Sequence, residues 1–471
     1  MLVSIIFYSW SSPIEHTLVL LGSVIFNYCI GRKITQLYET SQGQLCRWIL
    51  ATGVTLNICG LGYFKYSGFI AANLGAYTFF SHVVLPLGIS FFTFTQIAYL
   101  VDASRGLAKE YNLVHYFLFV TYFPHLIAGP ILHHKEMMPQ FNRSHIFNFR
   151  LDNFSIGFSI FVIGLAKKLL LADQVAPIAD ATFNSAGSGL TLTITEAWLG
   201  SLAYTIQIYF DFSAYSDMAI GISRILGIRL PINFASPYKA VSIIDFWHRW
   251  HMTLSRFLRD YLYIPLGGNR NGSARRFINL IITMILGGLW HGAGWTFIVW
   301  GGLHGVYLCI NHLWRNFFPS PPRVIALSIT FISVVTAWVF FRAETIDQGF
   351  IVLQSMFGFN GLSLPKIGGQ IFGLLETNQT YIRFDGMFNN GVFDDPIKTI
   401  YTIFTMLFII WGFPNTQQLF ERYRPALIHL RDSNPIFRWQ PKLIWCAYLS
   451  VIFVVSVFAI SEDSPFLYFR F

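Results

Sequence analysis

The chain has 471 residues, 54% hydrophobic and 12% charged, with a mean hydropathy of +0.51 and a formal net charge of +9. Soluble domains carry about a quarter of their residues as charges, so this balance excludes an ordinary globular chain and indicates an integral membrane protein. No separate basic domain or tail gathers the positive charge, which argues against a nucleic-acid partner and assigns the excess to cytoplasmic loops at the bilayer surface.

The first ten residues, Met1 to Trp10, lack a basic leader and a small-residue cleavage site, so no cleaved signal peptide is expected. A span needs about 20 apolar residues. Candidates fall at 14–30, 46–64, 80–101, 113–131, 153–172, 192–210, 276–298, 300–314, 323–341, 397–413 and 441–460. The stretches 212–228 and 242–263 are too polar or interrupted for spans and read as short, broken or in-plane helices. Breakers inside apolar runs, at Pro86-Leu-Gly88, Pro124, Gly129-Pro130 and Gly287-Gly288, survive in lipid only where protein or a polar cavity satisfies the freed backbone groups. The expected fold class is therefore an all-α polytopic membrane protein, a helical bundle of about 11 spans with broken and in-plane helices around a central chamber.

Between Lys239 and Arg276 seven Lys/Arg face two acids, which puts 239–276 on the cytoplasmic side. Residues 342–396 hold six acids against three bases and form the expected extracytoplasmic loop. The basic 421–442 loop returns to the cytoplasm. The five cysteines, Cys29, Cys46, Cys59, Cys309 and Cys446, sit mostly in apolar runs without metal-ligand spacing and read as reduced packing residues. His115, His125, His133, His134 and His145 form no carboxylate-supported ligand pattern, so no metal is expected.

Polar chemistry concentrates between Asp245 and His304. A helix over 243–261 would align His248, His251, Ser255 and Arg259 as one polar stripe beside an apolar stripe of Trp247, Trp250, Leu254 and Leu258. Such a helix either anchors at the headgroups or carries a site. His291 ends an apolar run and is bracketed by Gly287, Gly288 and Gly292. A titratable ring at membrane depth is expensive and marks a functional candidate, although it also serves to bond a neighbouring helix. His304 follows thirteen residues later, about 220° round a continuous helix, and reads as packing. Asp211 to Asp217 reads as a polar patch lining the chamber or capping a broken helix. Neither a Gly-x-Ser-x-Gly elbow nor a phosphate-binding loop is present.

Taken together, Pro86–Phe94, Phe123–Pro130, Tyr209–Gly221, Asp245–Asn269, Gly287–Gly292, Trp338–Ala343 and Pro465–Phe471 carry a resemblance that runs nearly end to end. The chain resembles the membrane-bound O-acyltransferases (MBOAT), most closely their bacterial alginate O-acetylase branch. Members usually carry one more hydrophobic segment before the motif seen here at Phe7 to Trp10. The resemblance implies a single MBOAT transmembrane domain over 1–471 and a multi-pass protein of the bacterial inner membrane. It places the family's essential histidine at His291 and a second family histidine at His251. The branch has Arg or Asn where this chain has His248, and that ring receives no role.

The activity implied is transfer of acetyl from a cytoplasmic thioester, acetyl-CoA as co-substrate, to hydroxyls of a cell-surface polysaccharide such as alginate. Peptidoglycan O-acetylation is the alternative, and a transporter or polymer-export scaffold the rival from another class. No tightly bound cofactor is implied. A periplasmic O-acetyltransferase or other acetyl-acceptor protein is the expected partner, with the polysaccharide reached through it. Arg249, Arg256 and Arg259 either attract the donor's phosphates or anchor the segment at the bilayer.

Overall fold

A computed structural model describes residues 2–75, 83–126, 129–143, 148–363, 382–383, 395–428, 437–461 and 467. The elements are α1 (Leu2–Ser11), α2 (Ile14–Glu39), α3 (Gly43–Leu74), α4 (Ile89–Ser104), α5 (Leu113–Thr121), α6 (Phe123–Leu126) and α7 (His134–Phe141). They continue with α8 (Leu151–Gly187), α9 (Ile194–Ile225), α10 (Ile243–Trp247), α11 (Met252–Leu258), α12 (Gly272–His291), α13 (Trp295–Phe317) and α14 (Arg323–Arg342). The remainder are α15 (Ile346–Met356), α16 (Pro396–Gly412), α17 (Thr416–Leu419) and α18 (Leu443–Phe458). Only Leu362–Ser363 and Ile382–Arg383 pair as a two-residue parallel bridge among the described residues. The molecule is an all-α polytopic membrane protein.

By length and composition α2, α3, α8 and α14 are able to cross a bilayer, and α1, α16 and α18 are shorter apolar helices. Their outer faces leave Trp48, Val324, Phe404, Phe408 and Val451 exposed, the pattern of helices solvated by lipid. The stretch 113–131 makes no span. It breaks at Tyr122 into the nine-residue α5 and the four-residue α6, because Pro124 lacks the amide to continue the ladder.

The stretch 212–228 also departs from the expectation of a broken helix: residues 212–225 are the second half of α9, which is 32 residues long and buried on nearly every face. Its polar groups interrupt nothing because α8 supplies their partners. A π-helical turn at Lys167–Ala172 within α8 directs two successive lysines at α9. Lys167 pairs with Asp217 and Lys168 with Asp211, both at 2.8 Å. Asp217 also accepts from Thr416 Oγ1 and Gln417 Nε2 of α17, and Asp211 accepts the Leu467 amide. The patch is thus a buried ionic hub and caps no helix. Glycines let the two helices touch: a Cβ on Gly157 or Gly221 would stand 2.5–2.6 Å from the other's carbonyl oxygen.

Two hydrophobic clusters fill the molecule, one around Tyr99, Tyr116 and Phe119, the other around Trp250, Trp300 and Trp338. The second lies under the polar segment 239–276. Lys239 and Arg323 line one groove at the start of α14, whereas Arg342 closes the helix nineteen residues later, about 28 Å away. The segments that charge assigns to opposite sides therefore sit at opposite ends of α14. Within 342–396, α15 packs against α8, α9 and α14, and most of 364–394 lies outside the described residues. His145, the Pro465–Phe471 motif apart from Leu467, and much of the 421–442 loop also lie outside them.

Candidate active site

The expected helix over 243–261 does not form as one piece. Ser242 caps α10, its side chain accepting from the Asp245 amide, and the helix stops at Trp247. His251 then takes a left-handed conformation, φ +40° and ψ 55°, before α11 starts. A non-glycine residue holds that conformation only where its surroundings over-determine it. Here Asn233 does so: its carbonyl accepts the Met252 amide at 3.0 Å, and its Oδ1 accepts the Thr253 amide and hydroxyl at 3.2 and 2.7 Å. Thr253 Oγ1 in turn accepts the Ile131 amide.

The consequence of that kink is the site. The stripe joining His248 to His251 is broken, so His248 points outward while His251 is fully buried. The His251 ring meets Phe212 edge-on at 4.8 Å and lies 6.3 Å, centroid to centroid, from His291.

His291 is the last residue of α12, with an extended Gly292 and Gly294 turning the chain into α13. α12 and α13 approach closely enough that a Cβ on Gly288 would overlap the Phe297 carbonyl oxygen, and one on Gly301 the Met284 carbonyl oxygen. The His291 ring is walled by Trp290, Trp300 and Phe341 at 4.9, 5.2 and 5.1 Å. The turn also overturns the reasoning that kept His304 away, which assumed a continuous helix. His304 packs on the same Trp300 indole at 4.9 Å, and its Nδ1 accepts from Trp247 Nε1 at 3.3 Å, a buried packing position.

Both His251 ring nitrogens, His291 Nδ1 and the indole N–H of Trp300 are buried without a hydrogen-bond partner among the described residues. Buried polar groups are normally satisfied, so a cluster of them around two imidazoles marks a place built to meet a polar guest.

Two residues that no sequence motif singles out complete the site. From α3, Lys65 Nζ donates to the carbonyl oxygens of Trp290 and His291, the latter at 3.0 Å, and the Tyr66 hydroxyl donates to the Leu289 carbonyl. The signal was a lone ammonium in the second half of an apolar helix, costly unless it has a task.

The three arginines part company. Arg256 makes a two-pronged bond to Glu136 at 2.6 and 3.0 Å, and the exposed Arg259 pairs with its neighbour Asp260. Arg249 pairs with Asp245 at 2.7 Å but also lines a groove of about 820 Å³ with Lys239, Arg315 and Arg323. The groove runs along α14 to Ser333, and Trp338, which faces Trp250 and Trp300, is about 8 Å further by helix rise. Tyr307 lines the groove and touches His304.

Apolar helices gathered around a buried imidazole pair define an integral membrane protein with its polar chemistry at depth. The chain belongs to the membrane-bound O-acyltransferase family, MBOAT, whose profile matches residues 14–344, and is accordingly an acyltransferase. It is 40% identical to a peptidoglycan O-acetyltransferase of Helicobacter pylori, over 100% of this chain and 90% of that protein. It is 38% identical to the probable alginate O-acetylase AlgI of Azotobacter vinelandii, over 99% and 93%. A teichoic acid D-alanyltransferase of Streptococcus thermophilus is 31% identical over 48% of this chain and 57% of its own length.

Proposed function

We propose that this acyltransferase moves acetyl from a cytoplasmic thioester, acetyl-CoA, through the bacterial inner membrane to hydroxyl groups of a cell-surface polysaccharide, alginate or a related exopolysaccharide. The observation that carries the reading is the pair His251 and His291, 6.3 Å apart, with both His251 ring nitrogens and His291 Nδ1 unpartnered among the described residues, in a chain whose full-length relatives are named an O-acetyltransferase and a probable O-acetylase. A hydroxyl or carbonyl oxygen between the rings lies within reach of both, since such bonds span about 2.6–3.2 Å.

His291 is the base. It takes the proton of the acceptor hydroxyl as that oxygen attacks the thioester carbonyl. His251, held at its kink, donates to the oxygen on which negative charge develops. Collapse of the tetrahedral adduct breaks the C–S bond, and the imidazolium of His291 returns its proton to the leaving thiolate. The products are an oxygen ester and free CoA. Aromatic walls exclude water, which otherwise would hydrolyse the donor. The donor's phosphates sit in the groove with Arg249, while Arg256 and Arg259 hold the in-plane segment. The acceptor hydroxyl belongs to a periplasmic O-acetyltransferase or to the glycan itself.

The relative from Helicobacter pylori supports a second reading, with peptidoglycan as the polymer. One experiment separates them. Ester-linked acetate is measured on exopolysaccharide and on peptidoglycan in cells carrying the wild type or His291→Ala at equal protein level. Loss confined to one polymer identifies the acceptor, and unchanged ester acetate on both sinks the assignment of His291.

A further inference from the structure

We infer that Lys65 is a positioning residue for His291, acting through the end of the helix that carries it. The inference rests on the reading of His291 as the base.

The last carbonyls of a helix have no partner within it, and the helix dipole leaves partial negative charge there. Glycine or water usually resolves both. At the end of α12 one neighbouring helix resolves them instead, with two adjacent residues: Tyr66 takes the Leu289 carbonyl, and the Lys65 ammonium takes those of Trp290 and His291. Lys65 Nζ also lies 3.4 Å from Ser90 Oγ and 6.0 Å from the centroid of the Trp290 ring. No carboxylate pairs with it among the described residues, so its charge is spent on carbonyl oxygens and an aromatic face.

The arrangement fixes a point that α12 leaves loose. Beyond His291 the chain passes through an extended Gly292 and Gly294, and the Gly292 amide reaches the Gly288 carbonyl only at 3.4 Å. With glycines on one side and no further helical turn, the φ and ψ of His291 depend on what holds its own carbonyl. Lys65 holds that oxygen and the one before it, so it sets the direction in which the imidazole leaves the backbone. It also fixes Trp290, which touches both His251 and His291. Displacements of about 1 Å in such a site cost up to about 100-fold in rate, which gives a remote ammonium leverage over the chemical step.

The test uses membrane vesicles containing the full chain, labelled acetyl-CoA and an acceptor glycan, and compares Lys65→Met, Lys65→Arg, Tyr66→Phe and His291→Ala at equal protein level. The expected result is a kcat lowered about 10- to 100-fold in Lys65→Met with the KM for acetyl-CoA nearly unchanged. Lys65→Arg, which keeps the charge and several donors, regains most of the rate, and Tyr66→Phe loses less because it frees only the Leu289 carbonyl. A Lys65→Met protein with wild-type kcat, or one in which KM rises while kcat holds, overturns the inference. If Lys65→Met fails to accumulate, Lys65→Arg against Lys65→Gln decides it, equal rates being the overturning result. Full activity in His291→Ala instead removes the reading of the site on which the inference rests.

Discussion

His251 and His291 face one another across 6.3 Å with their rings inclined by 63°, although neither sits within an uninterrupted helix. One is a left-handed kink between two short helices and the other the last residue of a long one, so two chain breaks converge on a single point. Breaks of this kind in lipid cost backbone hydrogen bonds and are retained where they face a cavity or a guest.

In the proposed mechanism the pair acts as a unit, and its members should fail together. Replacement of His291 by Ala is expected to lower acetyl transfer by about 10²- to 10⁴-fold, the usual contribution of a positioned base. His251→Ala is expected to cost about 10²-fold, the range of a lost oxyanion donor. The double variant should be about as slow as His291→Ala alone, because the second ring has nothing to assist once the first is gone. His304→Gln, altering a ring that packs without touching the reacting atoms, should stay close to wild type. Initial rates of labelled acetyl transfer in vesicles check the series, and a double variant slowed by the product of the two single effects would contradict a joint role.

The ionic hub between α8 and α9 makes a prediction about stability. Asp217 takes bonds from Lys167, Thr416 and Gln417, and both members of the ion pair are largely buried, with side chains 12% and 8% exposed. Asp217→Ala strands the lysine and two donors and should destabilise by about 3–5 kcal/mol, the penalty for an orphaned buried charge. Asp217→Asn keeps an acceptor for one of those donors and should cost less. Lys167→Met combined with Asp217→Asn should recover much of the loss. The melting temperature of the detergent-solubilised protein ranks the three variants, and an Asp217→Ala protein as stable as wild type would show that the hub holds nothing together.

Much of the architecture was legible because lipid enforces a simple rule: helices satisfy their own backbone and turn apolar faces outward. That rule located α2, α3, α8 and α14. It failed at α9, where Asp211, Ser213, Ser216 and Asp217 look like a break unless the lysines meeting them are known, and those lie on another helix. It failed again at 243–261, where helical spacing put His248 beside His251. The turn at His251 is imposed by Asn233, eighteen residues upstream, through contacts no local pattern encodes. His291 stood out as an imidazole ending an apolar run between glycines. His304 packs on Trp300, but the premise of a continuous helix that set it apart from His291 is removed by the turn at Gly292–Gly294. Lys65 was missed because a single lysine in an apolar helix carries no motif; its task exists only when α12 ends against it.

The arginines give the last prediction, since each has a different partner. Arg249 lines the groove with Lys239, Arg315 and Arg323, where, among the described residues, four cations meet the single carboxylate Asp245, itself paired with Arg249. Removing one positive charge from the proposed phosphate site weakens ground-state and transition-state binding alike, so Arg323→Gln or Arg315→Gln should raise the KM for acetyl-CoA severalfold and leave kcat in place. The effect should shrink as salt rises, because exposed charges are screened over about 10 Å at 0.1 M. Arg256 lies outside that groove, bonded through two nitrogens to Glu136, so Arg256→Gln should lower thermal stability while the KM for acetyl-CoA stays put. Arg259, exposed beside Asp260, should tolerate replacement on both measures. Kinetics at two salt concentrations, with a melting curve for each variant, test all these outcomes. A KM that rises with Arg256→Gln but not with Arg323→Gln would move the donor away from the groove and onto the in-plane segment itself.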